Sequence, residues 1–249
     1  MPTERSNADA AGDVWDVWDV GFFKGDFSGE LLDAGLRVIG YEPNPDSLRR
    51  ARARFAPMIT GNRLVLRGGA LSDSARSADL LTISGKPEWT TLRPGAVGTA
   101  TGFEAAARVE CFDVKDEVRL FGIPRLIKID AEGEEVHIIR ALAEIGALPK
   151  YLTVELNRGL AGDSFAILGH HFSNFALLQQ SQLVAAVAGG ENALSPHHWA
   201  QHLIQNGSLP DSVPELTLVA AEANYAGFQR AKELQISGWN CGWLDLLSF

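Results

Sequence analysis

Short apolar runs alternate along the first two thirds of the chain with segments whose apolar residues recur at helical spacing. Val14 to Val20, Arg37 to Glu42, Arg63 to Arg67, Arg125 to Asp130 and Tyr151 to Glu155 read as strands. Ser28 to Ala34, Pro43 to Phe55, Asp113 to Phe121 and Glu134 to Ile145 read as helices. In the last of these, Val136, Ile139 and Ala143 stand beside Ile138, Leu142 and Ile145 and make a wide apolar stripe. Gly35 suits a helix C-cap, and Pro45 is tolerated in a first helical turn. Strands alternating with helices predict a parallel sheet with crossover helices. Asp79 to Ile83 and Ala107 to Phe112 read as added strands, separated by the Gly/Pro/Thr-rich stretch 85–102. Further on, Asp163 to His171 reads as a helix and Phe175 to Ala186 as one or two strands. Ser195 to Gln205 and Ala220 to Gln235 read as helices.

Composition narrows the function. The 249 residues suffice for one α/β domain with a substantial core, and 46% hydrophobic with 21% charged residues is ordinary for a globular chain. A formal charge of -9 without a Lys/Arg-rich run argues against general nucleic-acid binding, which needs clustered positive charge. Cys111 and Cys241 are far apart and fit no disulfide or metal pattern, so they read as idle thiols in a reducing compartment. The first residues carry no apolar stretch, and no run approaches membrane-spanning length. The expected organisation is a flexible tail over 1–12 and a single domain over 13–249. Within it, 13–160 is the cofactor-binding half and 161–249 carries substrate elements. A cytoplasmic location is expected.

Candidate chemistry gathers where predicted strands end. In Asp19-Val-Gly-Phe-Phe-Lys-Gly25 a strand ends on an acidic residue and turns through Gly21. It re-enters a helix near Gly25, whose first turn offers N–H groups to a ligand. Glu42 follows Gly21 by 21 residues and ends the second strand, a spacing suited to bonding both hydroxyls of a ribose. Pro43 and Asn44 flank it. Leu71 and Ser72, within Gly69 to Asp73 after the third strand, are placed to meet an adenine. The nicotinamide fingerprint G-x-G-x-x-G fails at Phe23 and Lys24, and bulky Phe22 and Phe23 obstruct a close pyrophosphate. Lys24 is within reach of a ligand carboxylate or is an exposed turn lysine.

Lys128-Ile-Asp-Ala-Glu-Gly-Glu134 sets Asp130 and Glu132 at a sheet edge, where either could accept a proton or help hold a metal. Glu132 and Glu134 equally suit a helix N-terminus. Glu155 and Asn157 end the fifth strand beside that turn and are candidates to orient an acceptor. His137, one turn into the following helix, is a further candidate base. His198 and His202 share a helical face, but no third ligand is evident and no metal is assigned. His197, His198 and Trp199 fit a substrate-covering element. The stretches 85–102 and 186–199 are the expected pocket-forming loops.

Together these segments resemble the FkbM family of S-adenosylmethionine-dependent methyltransferases. The resemblance rests on DVGFFKGDFS (Asp19 to Ser28), VIGYEPNP (Val38 to Pro45), GGALSD (Gly68 to Asp73), LIKIDAEGEE (Leu126 to Glu135) and VELN (Val154 to Asn157), and spans roughly residues 14 to 160. It implies a Rossmann-like class I methyltransferase fold, a seven-stranded mostly parallel sheet with helices on both faces. It further implies methyl transfer to a hydroxyl of a small molecule, secondary metabolite or sugar. Cofactor contacts fall to Asp19, Gly21, Phe22, Lys24, Gly25, Glu42, Pro43, Asn44, Leu71, Ser72 and Asp130. Catalysis falls to Asp130, Glu132 and His137, and acceptor binding to Glu155, Asn157 and His198. The family commonly carries Ala-Asn where this chain has Phe22-Phe23, so that Asn contact is absent. Two other functions stay open: a methyltransferase-like scaffold without catalysis, which the Phe22-Phe23 turn favours, and a nicotinamide-dependent oxidoreductase.

Overall fold

The computed structural model of the 249-residue chain describes residues 15–83, 86–94, 102–156, 160–179, 198–208, 215–233 and 244–249. Along the chain the strands are β1 (Val17–Val20), β2 (Val38–Tyr41), β3 (Leu64–Arg67), β4 (Ala70–Ser72), β5 (Arg76–Ile83), β6 (Lys86–Thr91), β7 (Phe103–Asp113), β8 (Leu126–Ile129), β9 (Tyr151–Glu155), β10 (Phe175–Gln179) and β11 (Leu244–Ser248). The helices are α1 (Asp26–Asp33), α2 (Pro45–Arg54), α3 (Ala56–Thr60), α4 (Val114–Phe121), α5 (Glu135–Glu144), α6 (Ala161–Leu168), α7 (His198–Asn206) and α8 (Leu218–Glu233).

Seven strands form the main sheet in the order β10-β11-β9-β8-β1-β2-β3. Neighbours from β9 to β3 run parallel, and β11 lies antiparallel between β9 and β10. Strand side chains alternate faces, and here both faces are covered. Val17, Val38 and Leu126 point into an apolar cluster with Leu31 and Leu32 of α1, Ala51 of α2 and Leu203 of α7. Trp18, Ile39 and Ile127, one residue on, point into a second cluster with Val114 of α4, Ile138 and Leu142 of α5, Phe165 of α6 and Ala221 of α8. Burial on both faces is why these strands read as largely apolar runs, broken by Asp19 in β1 and Lys128 in β8. This is the seven-stranded, mostly parallel sheet with helices on both faces that the resemblance implies.

A smaller sheet, ordered β4-β7-β5-β6, is built from the added strands. Gly69 lets it begin directly after β3, since a Cβ there would lie 2.6 Å from the Glu110 carbonyl oxygen. Four elements escape the sequence pattern. Gly69 to Asp73, expected as a connecting segment, contains β4. The Gly/Pro/Thr-rich stretch holds β6 despite Pro87. Neither α3 nor β11 was expected. Of Phe175 to Ala186, β10 occupies the first five residues, and 180–186 lie outside the described residues. Among the described residues no helix is long and apolar enough to cross a membrane.

Candidate functional site

The chain leaves β1 toward β2 and β3 on one side, and places β8 and β9 on the other. Strand order therefore reverses between β1 and β8, and ligands in open α/β sheets bind outside the carboxyl ends of strands at such a point. A cleft of about 210 Å³ lies there. Its floor is Val20 and Gly21 after β1, Tyr41, Glu42 and Pro43 after β2, Asp130 to Glu132 after β8, and Glu155 of β9. Ala70 and Leu71 of β4 form one wall. Leu80, Thr90, Thr91 and Leu92 of the smaller sheet form another, so the expected pocket stretch 85–102 does supply lining residues.

Gly21 is required by proximity. Its φ is +85°, and a Cβ there would sit 1.8 Å from the Asp130 carbonyl oxygen. The ends of β1 and β8 thus touch through backbone, with the Asp130 N–H donating to the Val20 carbonyl at 2.9 Å. Beyond it Phe22 turns inward. Its ring is buried, packs edge-on to Phe55 at 5.6 Å, and fills the space over Gly25 and Gly40. Phe22 was expected at the cofactor and lies instead in the core. Phe23, with φ +46°, is the ring that borders the cleft. The side-chain direction after a left-handed glycine is not readable from apolar periodicity.

Glu42 is buried at 4% exposure while bordering the cleft. Its Oε2 accepts from the Phe23 N–H at 2.6 Å and its Oε1 from the Asn44 N–H at 2.7 Å. Burial pushes its pKa up to about 7 against the lowering effect of those two bonds. Each oxygen keeps a second lone pair for a ligand hydroxyl. Asn44, expected as a cofactor contact, caps α2 by accepting from the Asp46 and Ser47 N–H groups.

Several other expected residues sit away from the cleft or are engaged by neighbours. Asp19 is buried beneath the cleft, where its Oδ2 accepts from Ser28 Oγ at 2.6 Å and ties β1 to α1. Gly25 caps α1 in a left-handed conformation, packed against Phe22 and Phe55. Lys24 is exposed, its ammonium 4.8 Å from the Phe23 ring centroid, and does not border the cleft. Ser72 is engaged by Glu134, to which its hydroxyl donates at 2.6 Å. His137 faces Asp73, 3.5 Å away, and does not border the cleft. Trp199 is buried against Phe27 and belongs to the core rather than to a cover. Asn157 and the side chain of His198 lie outside the described residues.

The turn after β8 carries the acidic groups. Glu132 adopts φ +48° and Gly133 φ +117°. Glu135, missed in the sequence, holds this turn from within: its carboxylate accepts from the Ala131 N–H at 3.0 Å and the Gly133 N–H at 2.8 Å. Glu134 is buried and accepts from Arg93 Nε at 2.6 Å and Arg76 Nη2 at 3.1 Å. Thr91 donates its hydroxyl to the Glu132 carbonyl. These contacts stitch the smaller sheet onto the turn. An EG dipeptide signals the turn, but nothing local signals arginines 41 and 58 residues away.

Asp130, Glu132 and Glu155 converge, each offering an oxygen within 4.8 Å of the others. Lys128 lies behind them, 3.0 Å from Asp130 Oδ2 and 3.8 Å from Asp19 Oδ1. Burial works against its charge, but Asp130, Asp19 and Asp245 outweigh burial and hold its ammonium well above the ordinary lysine range. Burial, and then the facing Asp130, Glu132 and Asp245 carboxylates, push the Glu155 carboxyl well above the usual range. Cys111 is buried, and burial raises its thiol pKa, consistent with an unreactive thiol.

The residues present suit S-adenosylmethionine. Glu42 offers a buried acceptor pair for ribose hydroxyls, Pro43, Leu71 and Leu80 an apolar slot for a flat base, and Gly21 a backbone edge without a side chain.

No family model matches the sequence, and no curated protein does. Among solved structures, the chain is similar to the C-terminal domain of precorrin-6Y C5,15-methyltransferase from Rhodobacter capsulatus. The TM-score is 0.37 and the identity 16%, over 68% of each chain. It is also similar to a SAM-dependent methyltransferase from Geobacter sulfurreducens in complex with S-adenosyl-L-homocysteine, with TM-score 0.37 and 13% identity over 95% of this chain and 84% of that one. A third is the O-methyltransferase of a trans-AT PKS multienzyme of Brevibacillus brevis, also in complex with S-adenosyl-L-homocysteine. There the TM-score is 0.36 and the identity 12%, over 94% of this chain and 66% of that one.

Proposed function

We propose that the chain is an S-adenosylmethionine-dependent methyltransferase that methylates a hydroxyl of a small molecule, secondary metabolite or sugar. The observation that carries this is Glu42: a buried carboxylate at the strand-order reversal, oriented by two backbone N–H groups and facing a cleft with apolar walls. When bound, the cofactor supplies an electrophilic methyl group on a sulfonium. Held by Glu42 and the open backbone edge at Gly21, it would give that methyl to the acceptor oxygen and keep the electron pair on sulfur. The hydroxyl proton passes to a carboxylate. Alignment of the acceptor oxygen with the breaking bond supplies most of the rate gain.

Asp130 and Glu132 border the cleft and are the candidate proton acceptors. Lys128, 3.0 Å from Asp130 Oδ2, holds that carboxylate in place at the floor of the cleft. The non-catalytic scaffold drew its support from an obstructing Phe22-Phe23 pair, and a core position for Phe22 removes half of that obstruction. A nicotinamide cofactor shares the ribose contact but lacks its glycine fingerprint here.

The test is calorimetric titration with S-adenosylhomocysteine, with Glu42→Ala in parallel and NADH as the competing ligand. Saturable S-adenosylhomocysteine binding, abolished by the substitution, supports the proposal. Binding of NADH alone, or of neither, overturns it.

A further inference from the structure

We propose that Asp130, Glu132 and Glu155 form a binding site for a hard divalent cation such as Mg²⁺ or Mn²⁺ on the floor of the cleft. Three carboxylates whose oxygens lie within 4.8 Å of one another need only small side-chain adjustments to meet one ion, since oxygen ligands stand about 2.0–2.6 Å from Mg²⁺ or Ca²⁺. All-oxygen donor sets select such cations over softer ones. The three come from two neighbouring strand ends. Asp130 and Glu132 follow β8, and Glu155 ends the neighbouring β9.

Proximity of acids alone would not identify a site. The second observation is Glu155 Oε2. The residue is 4% exposed and borders the cleft, yet this oxygen is buried without a hydrogen-bond partner among the described residues. Leaving a buried acceptor unsatisfied costs about 1–3 kcal/mol and more for a charged group, so such atoms call for an explanation. The electrostatic neighbours of Glu155 are other carboxylates: Asp130, Glu132, Asp245 and Glu135. Asp245 stands directly across from it as its antiparallel partner on β11. Lys128, the nearby cation, is divided between Asp19 and Asp130. A divalent ion held by the three carboxylates satisfies the orphaned oxygen.

Three protein ligands leave open coordination positions on such an ion. A hydroxyl bound there would become more acidic and would give up its proton to a carboxylate of the cleft more readily. That role rests on the methyltransferase proposal, whereas cation binding itself does not.

The experiment is titration of the full chain with MnCl₂ at neutral pH, followed by the electron paramagnetic resonance signal of free Mn²⁺, with Mg²⁺ as competitor. Glu155→Gln and Glu132→Gln are titrated alongside, and S-adenosylhomocysteine binding to the native chain is measured in parallel. The expected result is one Mn²⁺ per chain, displaced by Mg²⁺, with affinity reduced at least about tenfold in each variant. Glu132 is only half-buried, so its variant tests the site even where Glu155→Gln disturbs folding. No saturable Mn²⁺ binding, or binding that neither substitution weakens, overturns the site. S-adenosylhomocysteine binding without Mn²⁺ binding sinks the metal site and leaves the methyltransferase standing. The converse leaves the site and sinks the methyltransferase.

Discussion

Gly21→Ala puts the geometry of the cleft floor to a quantitative test. The added Cβ would lie 1.8 Å from the Asp130 carbonyl oxygen, while real Cβ contacts essentially never fall under 3.0 Å. The ends of β1 and β8 must therefore separate by more than an ångström. They are joined there by the bond from Asp130 N–H to the Val20 carbonyl, and losing a buried bond of that kind costs about 1–3 kcal/mol. Holding a non-glycine residue at φ +85° adds about 1–2 kcal/mol. A total near 3 kcal/mol corresponds to a fall in melting temperature of roughly 6–12 °C for a chain of this length. Gly146→Ala is the internal control. Its φ is also positive, at +63°, but a Cβ there meets nothing within 4 Å, so only the backbone cost of about 1–2 kcal/mol applies. Scanning fluorimetry with and without S-adenosylhomocysteine reads both variants. Gly21→Ala should melt well below Gly146→Ala and lose stabilisation by the ligand, because Asp130 has moved. If the two variants melt within about 2 °C of each other, the contact between β1 and β8 does not have the closeness described.

Two further predictions concern the same turn. Phe22→Ala should cost about 3–5 kcal/mol of stability and leave ligand binding largely intact in the folded fraction, whereas Phe23→Ala should weaken ligand binding at little cost in melting temperature; denaturant melts paired with calorimetry would separate these, and a reversed pattern would put Phe22 back at the cofactor. Burial raises the Glu135 pKa from 4.5 to about 7, so the folded state keeps a proton that the unfolded chain has released. That contribution is full below pH 4.5 and is lost as pH rises toward 7, a decline of about 3 kcal/mol, with Glu42 acting in the same sense. Urea melts between pH 4.5 and 8 should show stability falling across this window and a shallower fall in Glu135→Gln. An equally steep fall in the variant would assign the titration to another group.

The half of the fold around the cleft was legible because its strands are buried on both faces and its ligand groups sit where strands end. Val17, Val38 and Leu126 stand in short runs that are apolar but for Asp19 and Lys128. Gly21, Glu42, Asp130 and Glu155 announce the site by lying just past such runs. Where an outcome depended on a partner far along the chain, the sequence was silent. Asn44 looked like part of a binding motif, and only the fold shows its carboxamide spent on the α2 cap. Ser72 looked available to a base until Arg76 and Glu134 enclosed it. Glu135 and Arg93 gave no local sign, since one braces a turn from inside and the other arrives from the far end of β6. Leu244–Ser248 is apolar enough to be a strand, yet its slot between β9 and β10 is set by pairing rather than by periodicity.

The pairing of β4 with β7 has a consequence for how the cleft is built. Ser72 and Asp113 are opposite one another in that parallel ladder, so the segment between them departs from and returns to one spot on the scaffold. Neighbouring strands lie about 4.8 Å apart, so the ends of the excursion meet the scaffold whatever its length, and what ties its middle down is the set of Arg76, Arg93 and Thr91 contacts to the turn after β8. Leu80, Thr90, Thr91 and Leu92 all belong to it, while Glu42 and Asp130 do not. One wall of the cleft therefore sits on a detour of the chain, while the carboxylates of its floor stand on the main sheet.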